Sequence, residues 1–584
     1  MIFFFDLALF LEFIRPVRLK SPEGAAEYSR GCPPPGKAGR YKPRRGEGVQ
    51  AGVTLQLCWL ATEGTQEPLQ THKPVTRYLP RILKKVISWQ IMHICFATKE
   101  LFRIFVANYN KNMKEYIIGR EYEKHVLGSL LTSAKSEFVA VCGRRRVGKT
   151  FLIREYFEDV MLFQTAGLAS GSTRQQIKSF YEDMLEYGLQ RPAEPPRDWI
   201  DIFTLLRQLI KQSDNERKVI LLDELPWMDT PRSGFISALE HFWNTWASSR
   251  RDVVLIVCGS ATSWMMDKLI NSHGGLHNRL TQRIFLEPFT LCETEQFLKW
   301  KGFMLSRYDI ATCYMAMGGI PFYLDMLDVK LSIAQNIEQL VFRRNGPLHN
   351  EFANLYAALF RNSTDYIRVV ETLGHHREGL TRSEVIRLSG LVSGSGLTTV
   401  LRNLEACGFI RQRHHYKASR ADAVIYQLTD FFSLFHLHFI APGKVSDWMS
   451  LLGRGEYHAW AGLTFELLAW HHLPQMKKAL GISGIKTEAY AWRCDDGQKG
   501  AQIDLVIERA DQTVNICEMK FASAPYAITA AYEQNLRQKL AAFQEHADRR
   551  LSLQLTLVTA FGLASGTHSS IVTNEVTLDD LFLP

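Results

Sequence analysis

Residues 143–150 read GRRRVGKT, which fits the phosphate-loop pattern G-x-x-x-x-G-K-[ST]. The apolar run FVAVC at 138–142 precedes this loop with the length of a buried strand, and FLIREYF at 151–157 follows it with helical spacing. A loop between such a strand and such a helix aims backbone N–H groups and a helix N-terminus at a polyphosphate. The competing interpretation, an Arg-rich surface turn, does not account for the flanking strand and helix. The stretch therefore predicts a nucleotide-binding α/β fold.

The predicted nucleotide site consists of this loop and the first residue of the helix after it. Its members are Gly143, Arg144, Arg145, Arg146, Val147, Gly148, Lys149, Thr150 and Phe151. In a phosphate loop that holds ATP, Lys149 is expected to reach the β- and γ-phosphates and to assist catalysis, and Thr150 is expected to hold Mg²⁺.

Hydrolysis requires a second anchor for Mg²⁺ and a group that orients water, and the run KVILLDEL at 218–225 offers both. Asp223 ends a predicted buried strand, where its carboxylate is expected to hold Mg²⁺. Glu224 follows it and is expected to polarise the attacking water. A solvated acidic strand end is the alternative. The position of this pair about 70 residues after the phosphate loop, in the same predicted sheet, favours the catalytic interpretation.

Three further side chains are candidates for the same site. Ser260 ends the run VVLIVCGS at 253–260 and is a candidate contact for the γ-phosphate or the water, although a plain turn serine is an equal interpretation. Arg279 and Arg283 are candidates for neutralising the charge of the transition state. Surface ion pairing is the favoured interpretation of both arginines.

Composition and charge restrict the class of protein. The 584 residues are 46% hydrophobic, 22% charged and 11% aromatic, which is an ordinary soluble composition. Ten cysteines are scattered without a C-x-x-C pair, which favours reduced thiols in the cytoplasm over a zinc ribbon or a disulfide framework. Residues 1–112 hold 17 of the 69 basic and 8 of the 60 acidic residues, so the remainder is balanced at 52 of each. The net charge of +9 is therefore no evidence for a nucleic-acid surface in residues 113–584.

The first 112 residues differ from the rest. The stretch 22–52 is rich in Gly, Pro and Arg and has no apolar period. The opening run MIFFFDLALFLEFI is apolar, but it is too short to span a bilayer and lacks the basic start of a secretory signal, so no membrane association is predicted. We interpret residues 1–112 as a disordered leader or an over-extended reading frame that begins upstream of a true start at Met113.

The remaining chain is predicted to form three domains. Continuous apolar strands alternate with helices at 113–330, which predicts a P-loop ATPase domain with a parallel sheet and a helical subdomain. Residues 331–440 read as helices, with capping-box spacing from Thr381 to Glu384, followed by two strands at 409–417 and 424–430. Helix, turn, helix and hairpin is the plan of a winged helix. Its recognition helix would carry Arg402 and Glu405, and its basic wing, RQRHHYK at 411–417, could touch DNA phosphates. An interdomain or protein-binding role is an equal interpretation.

Residues 441–584 are predicted to form a third, α/β domain with a second site. The run AQIDLVIERADQTVNICEMKF at 501–521 has the alternation of a β-hairpin. Glu518 and Lys520 share one face of its second strand, and Asp504 falls opposite Glu518. Glu466, on a predicted helix, adds a third carboxylate. Clustered carboxylates bind Mg²⁺, and Lys520 would offset charge in catalysis. The alternative is a solvated hairpin with ordinary surface charges. An amphipathic helix is predicted over 526–540. Gln534 and Lys539 on it are candidates for facing phosphates, but solvent is the favoured interpretation.

The pattern around these residues is D-x13-E-x-K, which is similar to that of PD-(D/E)xK, or restriction-endonuclease-like, folds, although Ile503 replaces their usual Pro. The stretch 117–325 resembles the archaeal-type P-loop ATPases of the AAA-related STAND group. The matching segments are IIGREYE (117–123), FVAVCGRRRVGKTFLIREYF (138–157), VILLDELPWM (219–228), GS (259–260), LEPF (286–289) and GGIPFYL (318–324). The resemblance implies that Gly319 and Pro321 belong to a nucleotide-sensing motif, and that Glu121 has a counterpart in the family.

The resemblance continues through 426–440 and 460–472, which are similar to the winged-helix and nuclease-like regions of the same ATPases. It implies an ATPase that uses ATP and Mg²⁺ to control a nuclease-like domain acting on DNA, and it leaves a homo-oligomer open. A second interpretation is a nucleotide-gated scaffold whose winged helix and nuclease-like fold only bind partners. A DNA-binding transcription factor with vestigial ATP binding is the least favoured, because Lys149, Thr150, Asp223 and Glu224 would then have no purpose.

Overall fold

The protein was analysed as a computed structural model that describes residues 117–260, 262–270, 276, 278–360, 362–414, 424–445, 447–494 and 501–584. The leader, the predicted start at Met113 and the tip of the predicted wing at 415–417 lie outside the described residues.

A parallel sheet carries the phosphate loop. Its strands stand in the order β2-β3-β4-β1-β5, and every neighbouring pair is parallel. The strands are β1 (Glu137–Cys142), β2 (Met161–Ala166), β3 (Lys218–Asp223), β4 (Val253–Gly259) and β5 (Gln282–Phe285). Every residue of β1, β3 and β4 is buried, because helices cover both faces of the sheet. The predicted α/β fold class is confirmed.

The alternation along β1 shows how the two faces are used. Val139 and Val141 face one apolar core, whereas Phe138 and Ala140 face the other. Ten helices belong to the described part of this region and of the helical segment after it. They are α1 (Glu121–Thr132), α2 (Lys149–Phe157), α3 (Thr173–Glu186), α4 (Trp199–Gln212), α5 (Leu225–Met228), α6 (Phe235–Thr245), α7 (Thr262–Met265), α8 (Leu291–Trp300), α9 (Arg307–Met317) and α10 (Pro321–Asp325).

The segment that follows is mostly helical and ends in a small antiparallel sheet of order β6-β8-β7. The elements are α11 (Ile333–Ile337), α12 (Glu351–Leu359), α13 (Ser363–His375), β6 (Leu380–Thr381), α14 (Arg382–Ser389), α15 (Ser395–Ala406), β7 (Ile410–His414), β8 (Val424–Leu428) and α16 (Phe431–Phe435). The predicted capping box at α14 is present, because Thr381 and Glu384 exchange backbone-to-side-chain hydrogen bonds of 2.8 and 3.3 Å. The two predicted strands are β7 and β8.

The last part of the chain contains a mixed sheet of order β13-β12-β11-β10-β9, antiparallel from β9 to β11 and parallel from β11 to β13. Its elements are α17 (Gly455–His471), α18 (Leu473–Ala479), β9 (Thr487–Cys494), β10 (Ala501–Arg509), β11 (Thr513–Lys520), α19 (Ala530–His546), β12 (Ser552–Thr559), β13 (Asn574–Thr577) and α20 (Leu578–Leu581). The helix predicted over 526–540 starts four residues later, because Thr529 caps its N-terminus. It also ends six residues later, at His546.

Short turns of π and 3-10 helix complete the described structure. The π turns are Met266–Ile270, Glu338–Phe342 and His436–Ile440, and the 3-10 turns are Glu158–Val160, Ala247–Ser249, Met449–Leu451 and Ser569–Ile571. Within the described ranges, we find no helix with both the length and the apolar character that crossing a membrane requires.

Candidate nucleotide site and C-terminal carboxylate cluster

The phosphate loop and the end of β3 meet at the carboxyl edge of the parallel sheet. The hydroxyl of Thr150 donates to Oδ2 of Asp223 at 2.6 Å, and Oδ1 of Asp223 accepts the backbone N–H of Glu224 at 2.8 Å. The strand–loop–helix predicted from the sequence thus brings the two predicted Mg²⁺ ligands into contact. A hydroxyl and a carboxylate are hard oxygen donors, and Mg²⁺ in proteins is bound by one or two carboxylates together with substrate phosphates. Thr150 and Asp223 therefore fit the ion and would hold it.

Lys149 is buried with its ammonium group inside the loop. Its Nζ donates to the carbonyl oxygens of Gly143 and Arg144, both at 2.9 Å, and to Oγ of Ser260 at 3.1 Å. Phosphate oxygens that enter the loop can take these hydrogen bonds in place of the carbonyls, and each would then be charge-assisted at both ends. The ammonium is therefore already positioned for a polyphosphate.

Ser260 connects the ammonium to the predicted water-orienting carboxylate. Its hydroxyl donates to Oε1 of Glu224 at 2.7 Å, and its backbone N–H donates to Oε2 at 3.3 Å. Glu224 has a left-handed backbone with φ of 44°, which costs energy in a residue other than glycine. The two hydrogen bonds fix the direction of its carboxylate, as the orientation of a water molecule requires. The turn-serine interpretation of Ser260 does not describe this arrangement.

Two arginines of the loop reach later parts of the chain, which the sequence did not reveal. Arg144 is buried and forms an ion pair with Asp430, itself buried at the N-cap of α16. Burial disfavours the charge on Arg144, but the Asp430 carboxylate outweighs this effect and holds the guanidinium pKa above its usual value. Arg146 forms an ion pair of 2.5 Å with Glu351 of α12, which is also buried. Arg145, between them, is exposed.

Arg120 is a third cation at the loop that sequence reasoning missed. Its Nη2 donates to the carbonyl of Val147 at 3.3 Å, and its guanidinium lies 4.5 Å from the ring centroid of Phe289. Glu121, the position suggested by the family resemblance, is instead exposed and pairs with Lys124 at 2.6 Å. The GREYE segment does meet the loop, but its arginine makes the contact.

The segment around Gly319 and Pro321 is tied closely to the LEPF segment after β5. The N–H of Phe289 donates to the carbonyl of Gly319 at 2.6 Å. A Cβ at Gly319 would lie 2.0 Å from the carbonyl oxygen of Phe289, so a side chain cannot be placed there without movement of the backbone. Pro321 occupies the first turn of α10. Arg279 and Arg283 are both exposed, and neither has an ion-pair partner among the described residues.

The C-terminal cluster is assembled as the hairpin register predicts. Leu505 pairs with Cys517, so continuing the ladder by one residue places Asp504 opposite Glu518. The backbone N–H of Met519 donates to Oδ2 of Asp504 at 3.2 Å. Glu466 projects from α17 close enough for its charge to interact with both carboxylates and with Lys520. The four residues proposed from sequence thus converge.

Burial dominates the electrostatics of this cluster. Burial and the neighbouring Asp504 raise the pKa of Glu466 to about 8. Burial also raises the pKa of Asp504, and burial together with Asp504 raises that of Glu518. Carboxylates that crowd one another in a partly dry site are typical of functional clusters.

Lys539 is the residue of this cluster that the sequence analysis placed wrongly. It was expected to face solvent, but its Nζ donates to both carboxylate oxygens of Glu518 at 2.7 Å. The helix α19 turns this side chain toward the sheet. Among the described residues, no three His, Cys, Asp or Glu side chains are grouped as a metal ion would need. In the arrangement described, Lys539 neutralises Glu518 directly, and the metal-ligating roles of Glu466, Asp504 and Glu518 remain predictions.

The predicted DNA-reading surface has intramolecular contacts instead. Arg402 of α15 forms an ion pair of 3.0 Å with Asp267. Arg411 and Arg413 of β7 lie over the ring of Trp470 at 4.6 and 4.2 Å rather than extending into solvent. The described part of the basic wing therefore faces the C-terminal region.

Comparison with known proteins bears on the first site. Residues 133–264 match the protein family described as an AAA domain, and this range holds the phosphate loop, Asp223, Glu224 and Ser260. A curated relative, the uncharacterized protein MJECL04 of Methanocaldococcus jannaschii, is 23% identical over 401 residues, which cover 67% of this chain and 83% of that protein.

Several solved structures are similar at a low level. The Walker-type ATPase Paby2304 of Pyrococcus abyssi is 17% identical, covers 56% of this chain and 97% of its own, and has a TM-score of 0.40. The ORC2 protein of Aeropyrum pernix is 12% identical over 54% of this chain and 91% of its own, with a TM-score of 0.33. RuvB of Thermotoga maritima is 15% identical over 53% of this chain and 93% of its own, with a TM-score of 0.30.

Proposed function

We propose that the AAA-type P-loop ATPase domain at 133–264 uses ATP and Mg²⁺ to control a C-terminal PD-(D/E)xK nuclease-like domain that acts on DNA. The proposal includes the domain limits 113–330 for the ATPase, 331–440 for a helical and winged-helix domain, and 441–584 for the nuclease-like domain. It places a STAND-type ATPase in the cytoplasm, where the thiols of the described cysteines would stay reduced, and it allows a homo-oligomer.

One observation carries the hydrolytic part of the proposal. The hydrogen bonds from Lys149 to Ser260 and from Ser260 to Glu224 join the phosphate-binding ammonium to an oriented carboxylate. Thr150 and Asp223 complete the set of oxygen donors for Mg²⁺ on the adjacent strand end. Positioned charge of this kind is what phosphoryl transfer to water requires.

The ion pairs of the loop arginines support control of the rest of the chain by the nucleotide. Arg144 and Arg146 flank Arg145 in the loop that must adapt to phosphates, and each is paired with a carboxylate of a later segment. A polyphosphate in the loop attracts the same guanidinium groups. Its binding and release therefore change the strength of the ion pairs that these groups form with Asp430 and Glu351. Nucleotide state and the position of α12 and α16 are thereby coupled.

The C-terminal site supports the nuclease-like interpretation. Around it, the chain runs α17, α18, β9, β10, β11, α19 and β12, with Asp504, Glu518 and Lys520 on adjacent strands. In this proposal the three interacting carboxylates, which are not grouped as a metal ion needs in the arrangement described, would have to draw together around a hard metal ion to stabilise a phosphorane-like transition state. Lys520, whose Nζ lies 5.1 Å from the ring centroid of Tyr532, is the proposed charge-offsetting residue.

A second candidate function is a nucleotide-gated scaffold, which the contact of Lys539 with both oxygens of Glu518 favours. An ammonium in that position already satisfies the carboxylate that a metal would use. In this alternative the C-terminal region binds partners and cleaves nothing.

The test of ATP hydrolysis uses the full chain with Lys149→Ala, and Lys178→Ala, at an exposed position of α3, is the matched control. We expect Lys149→Ala to abolish ATP binding in calorimetric titration and turnover in a phosphate-release assay, while the control behaves as the wild type. Undiminished ATP binding by Lys149→Ala would refute the site.

Cleavage of plasmid DNA with Mg²⁺, with and without ATP, distinguishes the two candidates. Asp504→Asn is expected to abolish cleavage, and Asp511→Asn, at the exposed turn of the same hairpin, is expected to leave it intact. A wild type that hydrolyses ATP but cuts no DNA under any of these conditions would favour the scaffold. Asp430→Asn should remove the effect of ATP on the C-terminal domain without removing hydrolysis.

A further inference from the structure

A large cavity separates the carboxylate cluster from the small antiparallel sheet. Its volume is about 1220 Å³, which exceeds the range of about 300–1,000 Å³ for ordinary small-molecule sites. Glu466 and Asp504 line one side of it. Arg377, which follows α13, and Arg413 of β7 line the other side. The cavity therefore lies between two segments of the chain, one of which carries the proposed catalytic carboxylates.

Arg413 is a mostly buried cation without a paired anion. Its guanidinium lies over Trp470, its Nε has no hydrogen-bond partner, and it forms no ion pair with any of the residues described. Burial lowers its pKa to about 10, with Glu466 offsetting part of the effect. A desolvated charge without a partner is costly, so a site of this kind is expected to receive an anion.

Arg377, on the same side of the cavity as Arg413, is a second mostly buried guanidinium group. Its Nη2 donates a hydrogen bond of 3.0 Å to Nδ1 of His438, which is an uncharged acceptor since burial lowers the pKa of His438 to about 4. Burial lowers the pKa of Arg377 as well. Two guanidinium groups thus face a shared space. Arg387 and Arg493 also line it, together with Glu378 and Glu384.

The chemistry of the lining identifies the anion. A guanidinium presents a planar fork of donors that matches the oxygens of a phosphate, and arginines beside aromatic rings are typical of grooves for single strands. Trp470, whose ring supports Arg413, belongs to this lining. A volume of about 1220 Å³ has room for a few nucleotides of one strand.

We propose that this cavity is a binding cleft for a single nucleic-acid strand, in which Arg377 and Arg413 hold phosphodiester groups beside Glu466 and Asp504. The inference rests on the proposed function for its placement beside a nuclease-like site, but binding requires neither metal nor cleavage. Trp470 is a positioning residue here, because its Nε1 donates to the carbonyl of Asp504 at 3.1 Å while its ring supports Arg413.

The test measures binding of a short fluorescent oligothymidylate to the full chain by anisotropy, in EDTA so that no cleavage occurs. Arg413→Gln is compared with Arg411→Gln, a matched control on the same strand that also lies over Trp470 but is hydrogen-bonded to Gln427 at 2.9 and 3.0 Å. We expect Arg413→Gln to weaken binding at least about tenfold, since a hydrogen bond to a charged group is lost. The slope of log affinity against log salt should fall by about 0.7.

Arg377→Gln is the second variant and should reproduce the loss, and ATP turnover of every variant reports on folding. An oligouridylate and a duplex of the same sequence identify the form of nucleic acid, and we expect the duplex to bind more weakly than either single strand. Equal effects of Arg411→Gln and Arg413→Gln, or duplex binding that equals strand binding, would overturn the proposal.

Failure of the two proposals can be told apart. Strand binding that depends on Arg413, in a protein that never cleaves DNA, would leave the cleft in place and remove the nuclease. Cleavage that needs Asp504 but is unchanged in Arg413→Gln and Arg377→Gln would support the nuclease and refute the strand-binding cleft.

Discussion

The ion pair between Arg144 and Asp430 gives a prediction that can be worked out quantitatively. Both residues are almost completely buried, with exposed side-chain fractions of 5% and 2%. Asp430→Asn removes the negative charge and leaves the guanidinium without compensation. Nε and Nη2 of Arg144 have no hydrogen-bond partner even in the native protein, so no spare acceptor is nearby.

The expected cost of this substitution is about 3–5 kcal/mol, which is typical of breaking a buried ion pair from one side. In the native protein the backbone N–H of Ser433 donates to Oδ2 of Asp430 at 2.9 Å. An asparagine oxygen can accept the same hydrogen bond, so loss of the helix cap contributes little to the expected cost. Adding Arg144→Met should recover part of the loss, since the uncompensated cation is then gone. The interaction term of the double-mutant cycle is expected to be about 1–3 kcal/mol.

Urea unfolding of the full chain, followed by tryptophan fluorescence without nucleotide, measures these changes. Asp325→Asn is the matched control, because Asp325 is 69% exposed and its ion pair with Lys301, at 2.9 Å, should contribute less than about 1 kcal/mol. A loss below about 1 kcal/mol for Asp430→Asn, or strict additivity of the two substitutions, would show that the pair is not a coupled, desolvated contact.

Three further outcomes are expected. Glu224→Gln should lower the turnover number for ATP by about 100- to 10,000-fold with unchanged ATP affinity, as expected for loss of the group that orients water; equal losses in affinity would contradict this role. Burial lowers the pKa of His472 from 6.5 to about 4, so its contribution to stability is present above pH 6.5 and is lost as the pH falls toward 4. His472→Gln should therefore reduce, by about 3 kcal/mol, the loss of unfolding free energy as the pH falls from 6.5 to 4. His125→Gln, at an exposed position, should leave the pH dependence of the unfolding free energy unchanged. Gly319→Ala should cost about 1–3 kcal/mol in denaturant unfolding because its Cβ meets the carbonyl of Phe289. Gly462→Ala, in the interior of α17 where the space is open, should instead stabilise by about 0.5–1 kcal/mol, and a comparable loss at both positions would argue against the close contact.

Sequence alone determined the parts of this protein that depend on local pattern. Continuous apolar runs predicted β1 to β4 of the parallel sheet, because strands covered on both faces need no polar residues. The short edge strand β5 is mostly exposed and was not predicted. The spacing of GRRRVGKT and the position of Asp223 at a strand end placed Thr150 and Asp223 at the same sheet edge. Alternation around the turn near Asp511 gave the pairing of Asp504 with Glu518, since hairpin register follows from the position of the turn.

Only the tertiary structure decided the contacts between distant segments. Arg144 and Asp430 are 286 residues apart, and nothing in either local pattern selects the other. Lys539 was expected in solvent because helical period alone does not say which residue of α19 meets the sheet. Arg413, read as part of a basic wing, instead turns toward Trp470 and the carboxylates. In each case the partner of a charged side chain depends on how segments distant in sequence pack against each other. Because these side chains are buried or partly buried, the energy of each contact depends strongly on that one partner.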